Sequence, residues 1–318
     1  MECFYADHFV LPLPDDHPFP MAKYRLLRDR VAGWAGAGFQ LREAPPAPLA
    51  ALEAVHDPAY VHAVMDGSVD ERILRRIGFP WSPWMAERSR RTVGASLAAA
   101  RRALEAGGAV NLAGGTHHAH FARGGGYCVF NDLAVTAIDV LTSGRVSRVA
   151  VIDLDVHHGD GTASLLGDDE RVFTFSMHGE RIYPAVKPPG ALDIALPAGT
   201  DDAAYLAALR PALERVFEDF RPDLVLYQAG ADPYSGDQLG YLDLTVAGLA
   251  QRDRLVFDWC SRRSTPVVVT MGGGYAREVD DIVRIHANTV RLAGVLDEGA
   301  SLRPRARAAS AGQPRQAV

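Results

Sequence analysis

The sequence predicts an α/β fold: one domain built on an open parallel sheet with helices on both faces. Three observations carry that reading. Several short segments, among them Val149-Ala150-Val151-Ile152 and Val267-Val268-Val269-Thr270-Met271, are apolar at successive positions and do not alternate. Strands buried on both faces read this way. Amphipathic stretches of helical spacing separate these runs, and no shift in composition marks a second domain. Finally, each main polar cluster follows directly on one of the apolar runs.

Taken in order, a strand over 110–113 ends at Gly114-Gly115, and a helix over 131–143 stops at Gly144. A strand over 149–154 leads to a short helix after Gly159, and a strand follows over 172–177. A helix over 203–220 leads into the strand 224–227, and a helix over 246–262 into the strand 267–271. A last helix over 278–293 closes the pattern. Residues 1–299 form the expected domain; residues 300–318, rich in Arg, Ala, Ser and Pro, are expected to be a flexible tail.

The bulk numbers narrow the function. A formal charge of −6 provides no broad basic field, so nucleic acid is not the expected ligand. Lys23 and Lys187 are the only lysines among 33 basic residues, and the Arg excess reads as compositional bias. Cys3, Cys128 and Cys260 show no C-x-x-C spacing and no disulfide framework, which suits a reducing compartment. The amino terminus lacks a basic and then apolar leader, and no apolar run approaches ~20 residues. A cytoplasmic protein with no membrane span is expected, as a monomer or weak homo-oligomer.

Chemistry concentrates in Asp153-Leu154-Asp155-Val156-His157-His158-Gly159-Asp160, where three carboxylates and two imidazoles fall within eight residues at a strand end. So much buried charge needs a partner, and a divalent metal is the simplest one. Asp153, Asp155 and His157 share one side of an extended chain, because side chains alternate with a period of two. Clusters at His117-His118, Ala229-Gly230-Ala231-Asp232-Pro233 and Gly272-Gly273-Gly274-Tyr275 also follow strands. Parallel strands put their carboxyl ends on one sheet edge, where ligand sites of open α/β folds collect, so four loops distant in sequence can meet.

Asp155, His157 and Asp232 would give two carboxylates and an imidazole to one ion, leaving room for water and a substrate oxygen. The set suits Zn²⁺ and leaves Fe²⁺ and Co²⁺ open. Asp232 alone could equally be a turn former before Pro233. Of the adjacent His117 and His118, one can accept a proton from attacking water while the other gives electrostatic support or acts as an acid. Each needs an orienting acceptor, and Asp153 and Asp160 are the candidates. Tyr275 reads either as an aromatic lid or as a hydroxyl aimed at an oxyanion. Gly126 and Tyr127, in Gly124-Gly125-Gly126-Tyr127, are placed to wall a narrow channel. His158 is read as structural support.

Together the motifs Gly114-Gly115-Thr116-His117-His118-Ala119, Gly126-Tyr127-Cys128-Val129-Phe130-Asn131-Asp132, Asp153 to Gly161, Ala229 to Asp232 and Gly272 to Tyr275 resemble the histone deacetylase family. His17-Pro18-Phe19-Pro20-Met21-Ala22-Lys23-Tyr24 and Val55-His56-Asp57-Pro58-Ala59-Tyr60 resemble its amino-terminal region, so the likeness spans nearly the whole chain. The resemblance implies an arginase-like fold with an eight-stranded parallel sheet. It implies zinc on Asp155, His157 and Asp232, His117 paired with Asp153, His118 paired with Asp160, and Tyr275 as the carbonyl-polarising hydroxyl. It further implies potassium at Asp153, Ser176 and the backbone of Asp155, His157 and Met177, with Gly126 and Tyr127 lining an acyl-lysine tunnel. The compact length and the Ile182-Tyr183-Pro184 turn look most like bacterial relatives of the class IV enzymes. Tyr127 stands where the family commonly has Phe, and the loop 178–192 differs from that of class I.

The expected function is metal-dependent removal of an acetyl or other short acyl group from a lysine ε-amine in protein or peptide. The alternatives are an amidohydrolase of acetylpolyamines or other small acetylated amines, and a catalytically silent acyl-lysine binding module. Intact His117, His118 and Tyr275 weigh against the silent module. A two-metal ureohydrolase would want a D-x-D-x-x-D set, which Ala231-Asp232-Pro233 lacks.

Overall fold

The computed structural model describes residues 1–14 and 16–301. Its eight strands are β1 (Glu2–Tyr5), β2 (Gln40–Glu43), β3 (Gly108–Asn111), β4 (Val149–Asp153), β5 (Val172–Gly179), β6 (Leu192–Leu196), β7 (Leu224–Gln228) and β8 (Val267–Thr270). They form one sheet, parallel throughout, in the order β2-β1-β3-β8-β7-β4-β5-β6. Among the described residues the ten α-helices are α1 (Ala22–Ala32), α2 (Leu49–Glu53), α3 (Pro58–Asp66), α4 (Glu71–Ile77), α5 (Pro83–Ala106), α6 (Asp132–Thr142), α7 (Asp160–Leu166), α8 (Asp202–Glu214), α9 (Val246–Arg263) and α10 (Val279–Ser301).

Alternation along the central strands splits the core into two layers. Ala150, Ile152, Val225, Tyr227, Val267 and Val269 face the layer formed with α8, α9 and α10. Val149, Val151, Leu224, Leu226 and Val268 face the layer formed with α2, α3, α5 and α6. Both faces are dry, so the strands carry no polar side until their last residues. Helix starts follow local chemistry: Ser82 Oγ accepts from Met85 N ahead of Pro83 in α5, and Asn131 caps α6 through Ala134 N.

Most expected boundaries move by one or two residues, as at β3 (Gly108–Asn111 against 110–113), and two helices depart further. The helix expected over 203–220 is α8 followed by a wider π-type turn, Arg215–Phe220, with Pro211 inside α8 removing one backbone donor. The last helix runs to Ser301 and not to 293; residues 302–318 of the expected tail lie outside the described residues. Among the described residues no helix is long and apolar enough to cross a membrane, and all three cysteines are free and buried.

Strand register sets the floor of the site. Asn111, Thr270, Gln228, Asp153 and Ser176 are consecutive register partners across β3, β8, β7, β4 and β5. They form a polar row at the carboxyl edge of an otherwise apolar sheet. The chain leaves β4 toward β5 on one side and the neighbouring β7 toward β8 on the other, so the order of winding switches there, and the four central strands deliver their following loops into one crevice.

Candidate active site

Those four loops hold the site residues expected from the sequence, Gly126 and Tyr127 included in the long loop after β3, except Asp153 at the end of β4, Asp160 at the start of α7, and Ser176 and Met177 on β5. After β4, Asp155 and His157 turn toward Asp232 from the loop after β7, and one ligand-type atom from each lies within 4.8 Å of the others. His157 Nδ1 is 3.0 Å from Asp155 Oδ1 and 3.2 Å from Asp232 Oδ2. All three residues are buried. Backbone amides aim the carboxylates: Val156 N donates to Asp232 Oδ1 (2.9 Å), His157 N to Asp155 Oδ1 (2.9 Å) and Gly273 N to Asp155 Oδ2 (2.7 Å).

Two glycines make these approaches feasible. Gly115, at φ +73°, would place a Cβ 2.8 Å from Gly272 Cα, so the loops after β3 and β8 can touch only without one. A Cβ on Gly273 would collide with the Asp232 carboxylate.

The histidine pair stands on two further carboxylates. His117 Nδ1 is 2.6 Å from Asp153 Oδ2, and His118 Nδ1 is 2.6 Å from Asp160 Oδ1. Similar contacts lead to opposite charge states. Burial opposes protonation of His117, but Asp153 and Asp155 outweigh it and hold the ring up at about 9. Burial and the His117 charge pull His118 down to about 3 despite Asp160. Adjacent imidazoles pushed apart in this way are able to take separate acid and base roles. Around the expected metal ligands, burial and the repulsion of Asp155 raise Asp232 to about 7. Burial disfavours charge on His157, yet Asp155 and Asp232 raise it to about 10. Two buried carboxylates forced to share one imidazolium form a donor set suited to a divalent cation.

Tyr275 reaches the same cavity, which His117, His118, Asp155, His157 and Tyr127 also line. Its ring centroid is 5.8 Å from that of Tyr127 and 6.3 Å from that of His157. Burial, followed by the fields of Asp155 and Asp232, keeps its hydroxyl protonated far above the ordinary tyrosine range. The loop is clamped where Tyr275 N donates to Asp237 Oδ2 (2.6 Å) and Lys23 Nζ donates to the Gly274 carbonyl (3.2 Å). Tyr127 packs against Phe19 (4.9 Å between centroids) and Phe79 (5.3 Å), giving the channel an aromatic wall. Gly126 lines the same cavity, and its amide donates to the Arg76 carbonyl at 3.0 Å.

Several residues of the site had no signal as single positions in the sequence. The Gln228 carboxamide lies 3.1 Å from His117 Nδ1 and 3.4 Å from Asp155 Oδ2, between the two clusters. Asp132 accepts from Gly115 N, Thr116 N and the Thr116 hydroxyl, fixing the loop that carries the histidine pair. His120 shares Asp160 with His118 through a contact of 2.9 Å. Arg252 in α9 donates to the carbonyls of Leu154 (3.2 Å) and Gly230 (2.6 Å), tying together the segments that follow β4 and β7. His158 is fully buried with Nε2 3.1 Å from Asp193. With His178 and Asp193 it forms a second group whose ligand-type atoms lie within 4.8 Å of one another, although Asp193 is exposed.

Behind the site, His56 accepts from Asn131 N at Nε2 (2.9 Å) and uses Nδ1 on the His120 carbonyl (2.9 Å). Burial lowers it from 6.5 to about 4. Its neutral form therefore stabilises the fold fully above pH 6.5, and that contribution is lost as pH falls toward 4. The loss is on the order of 3 kcal/mol at ~1.4 kcal/mol per unit. His117 and His157 are shifted upward, so their contribution is complete below pH 6.5 and does not change in this window. Thermal melts at pH 7.0 and 4.5 should show a lower Tm in acid, with part of the drop missing in His56→Gln. Equal drops in the two proteins would rule out His56 as a source.

Comparison with known proteins agrees with this geometry. The histone deacetylase domain model matches residues 17–290. An uncharacterized protein of Picosynechococcus sp. is 43% identical over 290 residues, covering 91% of this chain and 97% of its own length. Histone deacetylase 2 of Arabidopsis thaliana is 34% identical over 275 residues, covering 82% of this chain and 70% of its own. The crystal structure of the HDA15 HD domain superimposes with a TM-score of 0.78 at 22% identity, covering 92% of this chain and 90% of that one. Acetylpolyamine aminohydrolase from Burkholderia pseudomallei superimposes at 0.73 with 24% identity, covering 93% and 99%. At those identities the two structures speak for the fold, while the domain match and the Arabidopsis relative settle membership: the chain belongs to the histone deacetylase family, whose chemistry is hydrolysis of an amide bond.

Proposed function

We propose that this chain removes an acetyl or other short acyl group from the ε-amine of acyl-lysine, with residues 1–299 as the catalytic unit. The observation that carries the reading is the convergence on one aromatic-walled cavity of Asp155 and His157, clustered with the buried Asp232, together with two oppositely tuned histidines and a protonated Tyr275. Asp155, His157 and Asp232 would hold a divalent ion, Zn²⁺ on the chemistry of the donors and Fe²⁺ as the alternative. Such an ion acts as a Lewis acid on the acyl carbonyl and lowers the pKa of water.

The chain's own residues do the rest. Neutral His118, oriented by Asp160, accepts the proton of the attacking water and returns it to the leaving amine. His117, charged on Asp153, stabilises negative charge as it develops. Tyr275 donates its hydroxyl hydrogen to the oxyanion, and Gly126, Tyr127 and Phe19 exclude water from the acyl chain. Asp153 and Ser176 are register partners on β4 and β5. Their carboxylate and hydroxyl, with backbone carbonyls of Asp155, His157 and Met177, suit a hard cation such as K⁺.

The test is an assay of full-length protein reconstituted with Zn²⁺ or Fe²⁺ on acyl-lysine peptides and on acetylated polyamines, the second substrate class carried by this fold. Turnover of acyl-lysine peptides is expected. Metal-loaded protein that binds these amides and turns over none would support a silent binding module and overturn the proposal.

A further inference from the structure

The mouth of the cavity has a charge the chain as a whole does not. It opens into a cleft of about 850 Å³ that runs past Tyr183 and Tyr241 and adjoins a second recess of about 480 Å³. Arg75, Arg76, Arg181 and Lys187 line the first, and Arg123 joins Arg76 along the second. Against these, the only acidic lining residues are Glu180 and Asp160. Asp160 is already committed to His118 and His120.

The cations differ in how far they are compensated. Arg75 has Glu71 at 3.3 Å and Arg181 has Glu180 at 3.9 Å. Lys187 Nζ donates only to the carbonyls of Ile182 (2.9 Å) and Pro184 (2.7 Å), which do not cancel its charge. Arg76 and Arg123 are exposed, and among the described residues neither has a carboxylate in salt-bridge reach. They come from α4 and from the loop after β3, so the fold assembles the rim from separate segments. In a protein of net charge −6 this is a local inversion of sign. Like charge on a ligand costs affinity at such a rim, and opposite charge steers it in. The cations stand outside the aromatic channel, so the matching anion belongs to residues flanking the acylated side chain, not to the acyl group.

We propose that the physiological substrate is an acyl-lysine within an acidic peptide segment, read by Arg76 and Arg123 at the rim, and that cationic acetylpolyamines are selected against. The inference rests on the acyl-lysine reading above.

Its test compares three substrates on the metal-reconstituted full-length protein. They are an acetyl-lysine peptide with Glu at the two positions on each side, the same peptide with Arg there, and an N-acetylated spermidine. The acidic peptide should exceed the basic one in kcat/KM by about tenfold or more at low ionic strength, with the ratio shrinking as salt screens the rim. Arg76→Glu/Arg123→Glu should carry the ratio to one or invert it, and because the ratio is read within one preparation, partial unfolding cancels. Equal kcat/KM for the two peptides, or preference for the polyamine, would overturn the rim inference while leaving amide hydrolysis in place. No turnover on any of the three would overturn both readings together.

Discussion

Tyr275→Phe is expected to lower kcat on an acetyl-lysine peptide by about 10²–10³-fold while metal content and Tm stay at wild-type values. The substitution removes one oxygen and keeps the ring. The Lys23 ammonium lies over the ring face, 5.2 Å from its centroid, and the Tyr127 ring packs beside it with centroids 5.8 Å apart. The loop itself is held by backbone bonds to Asp237 and Lys23, so the position of residue 275 should survive. What disappears is a donor that burial, Asp155 and Asp232 keep protonated well above the ordinary tyrosine range. The measurement is steady-state kinetics paired with metal analysis. A kcat within a few-fold of wild type, with metal bound, would remove Tyr275 from the oxyanion role and leave it as a lid.

Asp232→Asn should have the larger effect on metal retention. Losing a partner of a metal ligand typically costs about 10–100-fold in affinity, and losing a ligand should cost more. The structure predicts an asymmetry that separates this from simple damage. Burial and the neighbouring Asp155 hold the Asp232 carboxyl up at about 7, so its charge is poorly tolerated by its surroundings. An amide of the same shape relieves that repulsion and should leave the Tm of chelator-treated protein unchanged or raised. Wild type should gain Tm on adding Zn²⁺, as any ligand bound only by the folded state stabilises it, by ~2.7 kcal/mol at a hundred times Kd. The variant should not. If it shows the wild-type Zn²⁺ shift, Asp232 is not a ligand.

The sequence made the centre of this molecule legible because its physics is local. Strands β4, β7 and β8 are buried on both faces, so their apolar runs needed no partner to be recognised, and the clusters that follow them mark one sheet edge. The outer strands were harder. β2 and β6 expose much of their surface and β1 buries only Cys3 and Phe4, so their apolar signal is weak beside that of the central strands. Site residues divide in the same way. Asp155, His157 and Asp232 stand out because charge follows directly on apolar sequence. Gln228 is a single polar residue ending the run Leu224–Tyr227, and only the register that pairs it with Asp153 and Thr270 reveals its place. Arg252 lies on a helix face amid other charged residues and becomes meaningful only when α9 packs under the strand ends. The Arg-rich rim was hidden by the abundance of arginine: 31 of them look like bias until the fold gathers five cations around one mouth.

On the proposed reading, one divalent ion held by Asp155, His157 and Asp232 would make this site an amide hydrolase. The most direct measurement is a titration of chelator-stripped protein with Zn²⁺, following turnover of an acetyl-lysine peptide. Activity should be absent in the stripped protein and rise linearly, breaking at one equivalent per chain, with no such rise in Asp232→Asn. Full turnover by stripped protein, or no turnover with one equivalent bound, would mean that the ion on these residues is not the source of activity.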